Sequence, residues 1–203
     1  MNEEVYALFQ EDQSDRQDAP SRWHDKEWLQ RLGERDRVRW QRLEELRAAG
    51  ALQTGSDYHH AAVILQHTDA RARNALEAYW QAHEWSMKAV ELGCEKARWL
   101  AAASYDRWLA AQGKAQKYGT NFLPVYLPTG AQWVLWDVDP LTTDAERAQW
   151  NVPTLAEQQQ RAEEMAKYAP PPQLIVYGEA PPWLRDWHTR KVAELLAGQE
   201  PPP

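Results

Sequence analysis

Apolar residues recur at helical spacing through the first half of the chain. Residues 2–17 predict a short helix, and residues 22–49 predict a long one whose narrow apolar stripe also contains Arg35 and Arg39. Three more helices are expected at about 57–65, 71–92 and 95–112. The expected N-caps are Ser21 and either Ser56 or Asp57, and the helix ends fall at Gly50, Gly93 and Gly113.

The pattern changes after Tyr118. Apolar runs at 122–127 and 133–137 flank Pro128-Thr129-Gly130 and predict a β-hairpin, with Pro124 placing the first strand at an edge. Thr143 and Thr154 are expected to begin short helices that end near 150 and 168. The remaining predictions are a stiff proline spacer at 170–172, a strand at 174–177, a helix from Pro181 to about 196 and a disordered tip at 201–203.

These elements predict a mainly α fold, with antiparallel helical hairpins or a bundle and one small β-hairpin near 122–137. Residues 1–168 are expected to form a single helical domain that includes the hairpin. Residues 169–203 are expected to be a Pro-rich C-terminal extension with one helix.

Composition limits the classes of function and site. The 203 residues carry a net charge of -7, which disfavours strong binding to nucleic acid or to an anionic membrane. Cys94 is the single cysteine, so an internal disulfide and a cysteine-based zinc site are excluded. No apolar run approaches the ~20 residues of a membrane span, and the first residues lack a signal-peptide pattern, so a cytoplasmic location is expected. The 12 tryptophans, against 2 phenylalanines, are expected to fill much of the core.

The pair Asp106-Arg107 lies in the middle of an apolar segment, 99–111. At least one of the two side chains should be largely buried, and a buried ion persists only when it is paired, hydrogen-bonded or used. Adjacent helix residues point about 100° apart, so the pair cannot share one face. Asp15-Arg16 is a second such dipeptide, and Asp15 with Arg107 or Asp106 with Arg16 are the expected partners. Structural ion pairs and an active site are both open interpretations.

His67 follows an apolar helix and can serve as a general base, as a metal ligand or as a helix C-terminal cap. Asp69 can orient its ring or cap the next helix. A metal site of His67 with Asp12, Asp69 and Asp106 is the less favoured alternative, because no two of these residues show the spacing of helical-bundle metal sites. We therefore predict no metal, and no cofactor motif is visible.

The segment 116–121 is expected to form a polar loop beyond a helix end. Gly119 permits a tight turn, and the amide and hydroxyl groups of Gln116, Tyr118 and Thr120 can bind a polar ligand. The alternative is a turn whose polar groups tie the hairpin to the helices.

The order of several polar segments resembles an uncharacterised bacterial family, domain of unknown function 6624. The resemblance covers about residues 5–165 and depends on the segments 12–16, 66–69, 105–107, 113–120, 144–147 and 153–155, together with Asp137. Asn121 and Lys117 depart from the family pattern, which usually has Gln and often has Arg there. The resemblance implies a mostly helical fold and no established reaction.

Two functions follow as hypotheses. The first is a pocket that binds a small polar or anionic ligand, in a hydrolase or group-transfer enzyme. His67, Asp106 and Asp15 are its candidate catalytic residues, and its candidate ligand-binding residues are Asp12, Arg16, Gln66, Arg107, Gln116, Tyr118 and Thr120. The second is a non-catalytic, immunity-type protein that binds a protein partner through exposed tryptophans. The oligomeric state is left open.

Overall fold

The computed structural model describes residues 1–17, 22, 25–67, 75–168, 178 and 180–198. This part of the chain contains eight helices and one two-stranded antiparallel sheet, which confirms the mainly α fold. The elements in chain order are α1 Glu3–Gln17, α2 Lys26–Ala48, α3 Gly55–Gln66, α4 Ala75–Glu91, α5 Ala97–Ala110, β1 Phe122–Leu127, β2 Gly130–Leu135, α6 Asp144–Gln149, α7 Leu155–Tyr168 and α8 Pro182–Ala197. None of the described helices is long and apolar enough to cross a membrane.

The helix starts are set by side chains that bind free backbone N–H groups. Thr143 and Thr154 begin α6 and α7 as predicted, each in a capping box. The predicted start of α3 is wrong, because its N-cap is Thr54. Asp57 stands one turn later and closes the capping box by accepting a 2.8 Å hydrogen bond from the Thr54 N–H. Asp25 caps α2, so that helix begins later than residue 22.

The hairpin loop is shorter than predicted. Leu127 pairs with Gly130, so only Pro128 and Thr129 lie between the strands, and β2 begins and ends earlier than the predicted 133–137. Gly130 has φ of 141°, a conformation that residues with a side chain rarely adopt. The strand containing Pro124 is at an edge, as is its partner in this two-stranded sheet.

The two largest apolar clusters among the described residues hold most of the elements together. In the first, α3 packs against α1, α2, α4 and α5, with Val5, Leu43, Leu65 and Trp85 at its centre. In the second, α8 packs on β1 and its Trp187 contacts Trp136. Helix α7 packs on β2. The predicted Ser21 cap, Asp69, the first residues of the 71–92 helix, the proline spacer, the strand at 174–177 and the tip at 201–203 lie outside the described residues.

Candidate functional site

The strongest candidate site is an Asp–His pair between α1 and the end of α3. Asp12 is completely buried on α1, and its carboxylate contacts Nδ1 of His67 at 2.8 Å. His67 is the C-cap of α3, where its backbone N–H bonds the last turn and its ring extends towards α1. The His67 side chain remains 24% exposed. A buried carboxylate thus orients an imidazole that solvent still reaches.

Charged neighbours hold Asp12 in place. Arg16, one helical turn further along α1, lies 3.1 Å from Oδ1 of Asp12 and 2.8 Å from Asp36 on α2. The Gln13 amide donates a 2.9 Å hydrogen bond to Oδ2 of Asp12. Charge-assisted contacts of this kind fix geometry as well as charge.

The network continues along α2. Arg39 is 4% exposed and binds Asp36 at 2.9 Å and also Asp15. Arg35 binds Asp15 at 2.9 Å. Three arginines and three aspartates therefore alternate between α1 and α2, and their charges cancel.

Burial lowers the pKa of His67, and the Asp12 carboxylate opposes this shift. The positive charges of Arg16 and Arg107 lower the pKa further. Because the ordinary histidine value is about 6.5, the ring is neutral at pH 7. With Nδ1 bound to Asp12, the proton-accepting atom of the neutral ring is Nε2. The pair therefore has the geometry of an oriented general base.

Arg107 reaches the same end of α3. Its Nη1 donates a 2.9 Å hydrogen bond to Oε1 of Gln66, the residue before His67. The side chain is half-buried, and among the described residues no carboxylate lies within ion-pair distance of it. Burial lowers the pKa of Arg107, while the charges of Tyr79 and Asp106 oppose the shift.

Asp106 is completely buried, as predicted for one member of the pair, but its contacts differ from the prediction. Its carboxylate accepts hydrogen bonds from the N–H groups of Lys117, Tyr118 and Thr120 at 2.8, 2.9 and 3.0 Å. The Thr120 hydroxyl donates a fourth, at 2.7 Å. We call this arrangement the Asp106 clasp, because it holds the loop 116–121 against α5.

The other loop residues are bound within the same region. Gln116 is completely buried, and its amide joins the backbone of Asn121 to the carbonyl of Trp136. Burial raises the pKa of Tyr118 to about 12, so its phenol is neutral. These bonds match the alternative in which polar groups tie the loop to its neighbours, and ligand binding by Gln116, Tyr118 and Thr120 stays a prediction.

The structure therefore separates the predicted single site into two clusters. Asp12, Arg16, Gln66, His67 and Arg107 converge at the end of α3, whereas Asp106 and the loop residues form the clasp. The predicted ion pairs of Asp15 with Arg107 and of Asp106 with Arg16 are wrong. Asp15 faces the arginines of α2 because α1 packs against α2, and Asp106 faces the loop. The carboxylate that contacts His67 is that of Asp12.

Sequence reasoning missed Asp36 and the role of Arg39. A signal was present, because Arg35 and Arg39 interrupt the apolar stripe of α2 at positions that face a neighbour. Arginines on a packing face indicate carboxylates on the facing helix.

Two open depressions lie elsewhere on the described part of the molecule. These depressions, of about 510 and 330 Å³, lie beside the start of α3 and beside Trp183 of α8. Neither depression includes a residue of the Asp12–His67 pair. In the described ranges no group of three or more His, Cys, Asp or Glu side chains is placed to hold a metal ion.

Comparisons of the chain with protein-family models, with curated proteins and with solved structures returned no match. The resemblance drawn from the polar segments accordingly stays a prediction.

Proposed function

We propose that the Asp12–His67 pair is the acid–base centre of an enzyme that binds a small polar or anionic ligand and catalyses hydrolysis or group transfer. The observation that carries this proposal is the 2.8 Å contact between a completely buried carboxylate and a partly exposed imidazole. A histidine oriented in this way is suited to move one proton at Nε2.

The chemistry requires three actions of the protein. Nε2 of His67 takes the proton of an attacking water or hydroxyl and returns it to the leaving group. Asp12 holds the ring and stabilises the imidazolium formed between these transfers. Arg16 keeps the Asp12 carboxylate in position.

The proposal is tested by turnover of a panel of activated small esters and phosphomonoesters. His67→Asn should lower the rate by about 10²–10⁴-fold, the usual contribution of general acid–base catalysis. The matched control is His83→Asn, because burial also lowers the pKa of His83 but its Nδ1 lies 2.9 Å from the backbone oxygen of Ala101. Equal rates in wild-type protein and His67→Asn, or equal losses in both variants, would contradict the proposal.

A second candidate function is binding of a protein partner. It is favoured by an aromatic surface on the outer side of α4 and α5, formed by Leu76, Trp80, Tyr105 and Trp108. Leu76 and Trp80 are 44% and 39% exposed, and the Trp80 and Trp108 ring centroids lie 4.9 Å apart. Exposed aromatic clusters are typical of partner interfaces. Leu76→Ser with Trp80→Ser should abolish partner binding and leave any His67-dependent turnover unchanged.

A further inference from the structure

The difference among Arg16, Arg39 and Arg107 is whether a carboxylate contacts the guanidinium. Arg16 contacts two carboxylates, those of Asp12 and Asp36. Arg39 contacts Asp15 and Asp36. Arg107 has no carboxylate contact among the described residues, and its hydrogen bond is to the neutral amide of Gln66.

From this difference we infer that Arg107, and not Arg16, binds the anionic group of the ligand, and that this group carries a single negative charge, as a carboxylate does. The inference deepens the proposed function and rests on it for the location of the ligand beside His67.

An unpaired cation that is removed from water is unfavourable. The Arg107 guanidinium has no counterion among the described residues, and its bond to the neutral Gln66 amide offsets only part of the lost hydration, so a bound anion would stabilise it. Burial accordingly lowers the pKa of Arg107. The Asp106 carboxylate is next in the chain, but its oxygens are occupied by the clasp.

The geometry of the guanidinium also favours a carboxylate ligand. A guanidinium has five N–H donors in a rigid fork, and the bond to Gln66 uses one of them. A carboxylate accepts two parallel bonds from such a fork. Because Gln66 immediately precedes His67, the Arg107 guanidinium is held at the same end of α3 as the imidazole, and an anion on this guanidinium would lie at that end of the helix.

The local charge favours a ligand with one negative charge. The three arginines and three aspartates between α1 and α2 cancel, and the lowered pKa of His67 favours its neutral ring at pH 7. Among the described residues, the positive charge of Arg107 at the end of α3 has no carboxylate to balance it. One charge is neutralised by a carboxylate, whereas a phosphate carrying about two charges leaves an excess of negative charge.

The experiment is a titration of the 203-residue chain, monitored by nuclear magnetic resonance. The probes are sodium acetate and, separately, inorganic phosphate, each replacing sodium chloride at constant ionic strength. Acetate should bind saturably and shift the Arg107 Nε–H and the His67 ring signals. Arg107→Gln should weaken acetate binding by at least about tenfold, as expected when a charged hydrogen-bond donor is lost. Arg98→Gln is the matched control, because Arg98 is a surface arginine already bound to Glu95, and it should bind acetate as the wild type does.

Three results would overturn the inference: no saturable shift in wild-type protein at high millimolar acetate, unchanged acetate affinity in Arg107→Gln, or tighter binding of phosphate than of acetate. If Arg107→Gln fails to fold, the acetate-induced signal shifts of the wild-type protein test the assignment to Arg107. Shifts confined to other arginines would contradict it. Acetate binding that depends on Arg107, together with turnover that does not depend on His67, would support this inference and refute the acid–base proposal. Acetate binding that does not depend on Arg107, together with turnover that depends on His67, would refute this inference and support the acid–base proposal.

Discussion

Replacing Asp106 by Asn separates a structural carboxylate from a catalytic one. All four groups that face the Asp106 carboxylate are donors: the N–H groups of Lys117, Tyr118 and Thr120 and the hydroxyl of Thr120. Asparagine offers one acceptor oxygen and one NH₂ donor. If its oxygen stays on Lys117 and Tyr118, its NH₂ group meets the Thr120 N–H, and two donors then face each other in a buried site.

The magnitude follows from these contacts. Hydrogen bonds to a charged group contribute about 1.5–3 kcal/mol each, and a buried donor without a partner costs about 1–3 kcal/mol. Asp106→Asn weakens the bonds on one oxygen and leaves the Thr120 N–H unpaired, so we expect a loss of about 3–5 kcal/mol in the free energy of unfolding. In a protein of this size such a loss lowers the melting temperature by roughly 6–20 °C.

The assay is thermal unfolding followed by circular dichroism, with amide hydrogen exchange at Lys117, Tyr118 and Thr120. Thr120→Val removes only the hydroxyl bond and should cost about 1–2 kcal/mol. Arg107→Gln is the contrasting variant, and its melting temperature should be unchanged or raised, since it removes a half-buried charge that has no carboxylate partner among the described residues. A loss below about 1 kcal/mol in Asp106→Asn would refute the clasp, because that is the net contribution of one ordinary hydrogen bond. Equally large losses in Asp106→Asn and Arg107→Gln would count against a ligand site at Arg107.

Three further predictions concern other parts of the molecule. Gly113→Ala should lower the melting temperature more than Gly93→Ala. Both glycines have positive φ, but an added Cβ at Gly113 would lie 3.0 Å from the Trp183 ring, while an added Cβ at Gly93 would meet open space. Equal losses of stability in the two variants would contradict this packing. Burial, and then the charges of His60 and Lys96, lower the pKa of His59 to about 4, below its unfolded value, so stability should fall by about 1–3 kcal/mol as pH decreases from about 6.5 to 4. His59→Gln should flatten part of this slope in denaturant titrations, and an unchanged slope would refute the assignment. Elemental analysis of purified protein should find no stoichiometric zinc or iron. One tightly held ion per chain that is lost in His67→Ala would contradict this prediction and support the alternative metal site.

The sequence by itself determined the helical elements and several of their ends. Periodic apolar positions and caps such as Thr143 and Thr154 act within a few residues, so the information lies in the local sequence. The predicted α3 start was wrong because several neighbouring residues can serve as its N-cap. Thr54, Ser56 and Asp57 can each cap α3, and only the assembled capping box selects Thr54. The two-residue hairpin loop similarly depends on the pairing of Leu127 with Gly130.

The tertiary structure alone decided which charged groups meet across different helices and loops. The sequence placed Asp12, Asp15, Asp106 and their arginines on helices, but their partners depend on which helices are neighbours and on where the loop 116–121 returns. Asp106 is bound by backbone N–H groups, and a pattern of side chains cannot indicate such a partner. Asp12 meets His67 because α1 packs against α3, although the two residues lie far apart in the chain. Ionic contacts are short-ranged in space, so residue spacing along a helix predicts only those within it.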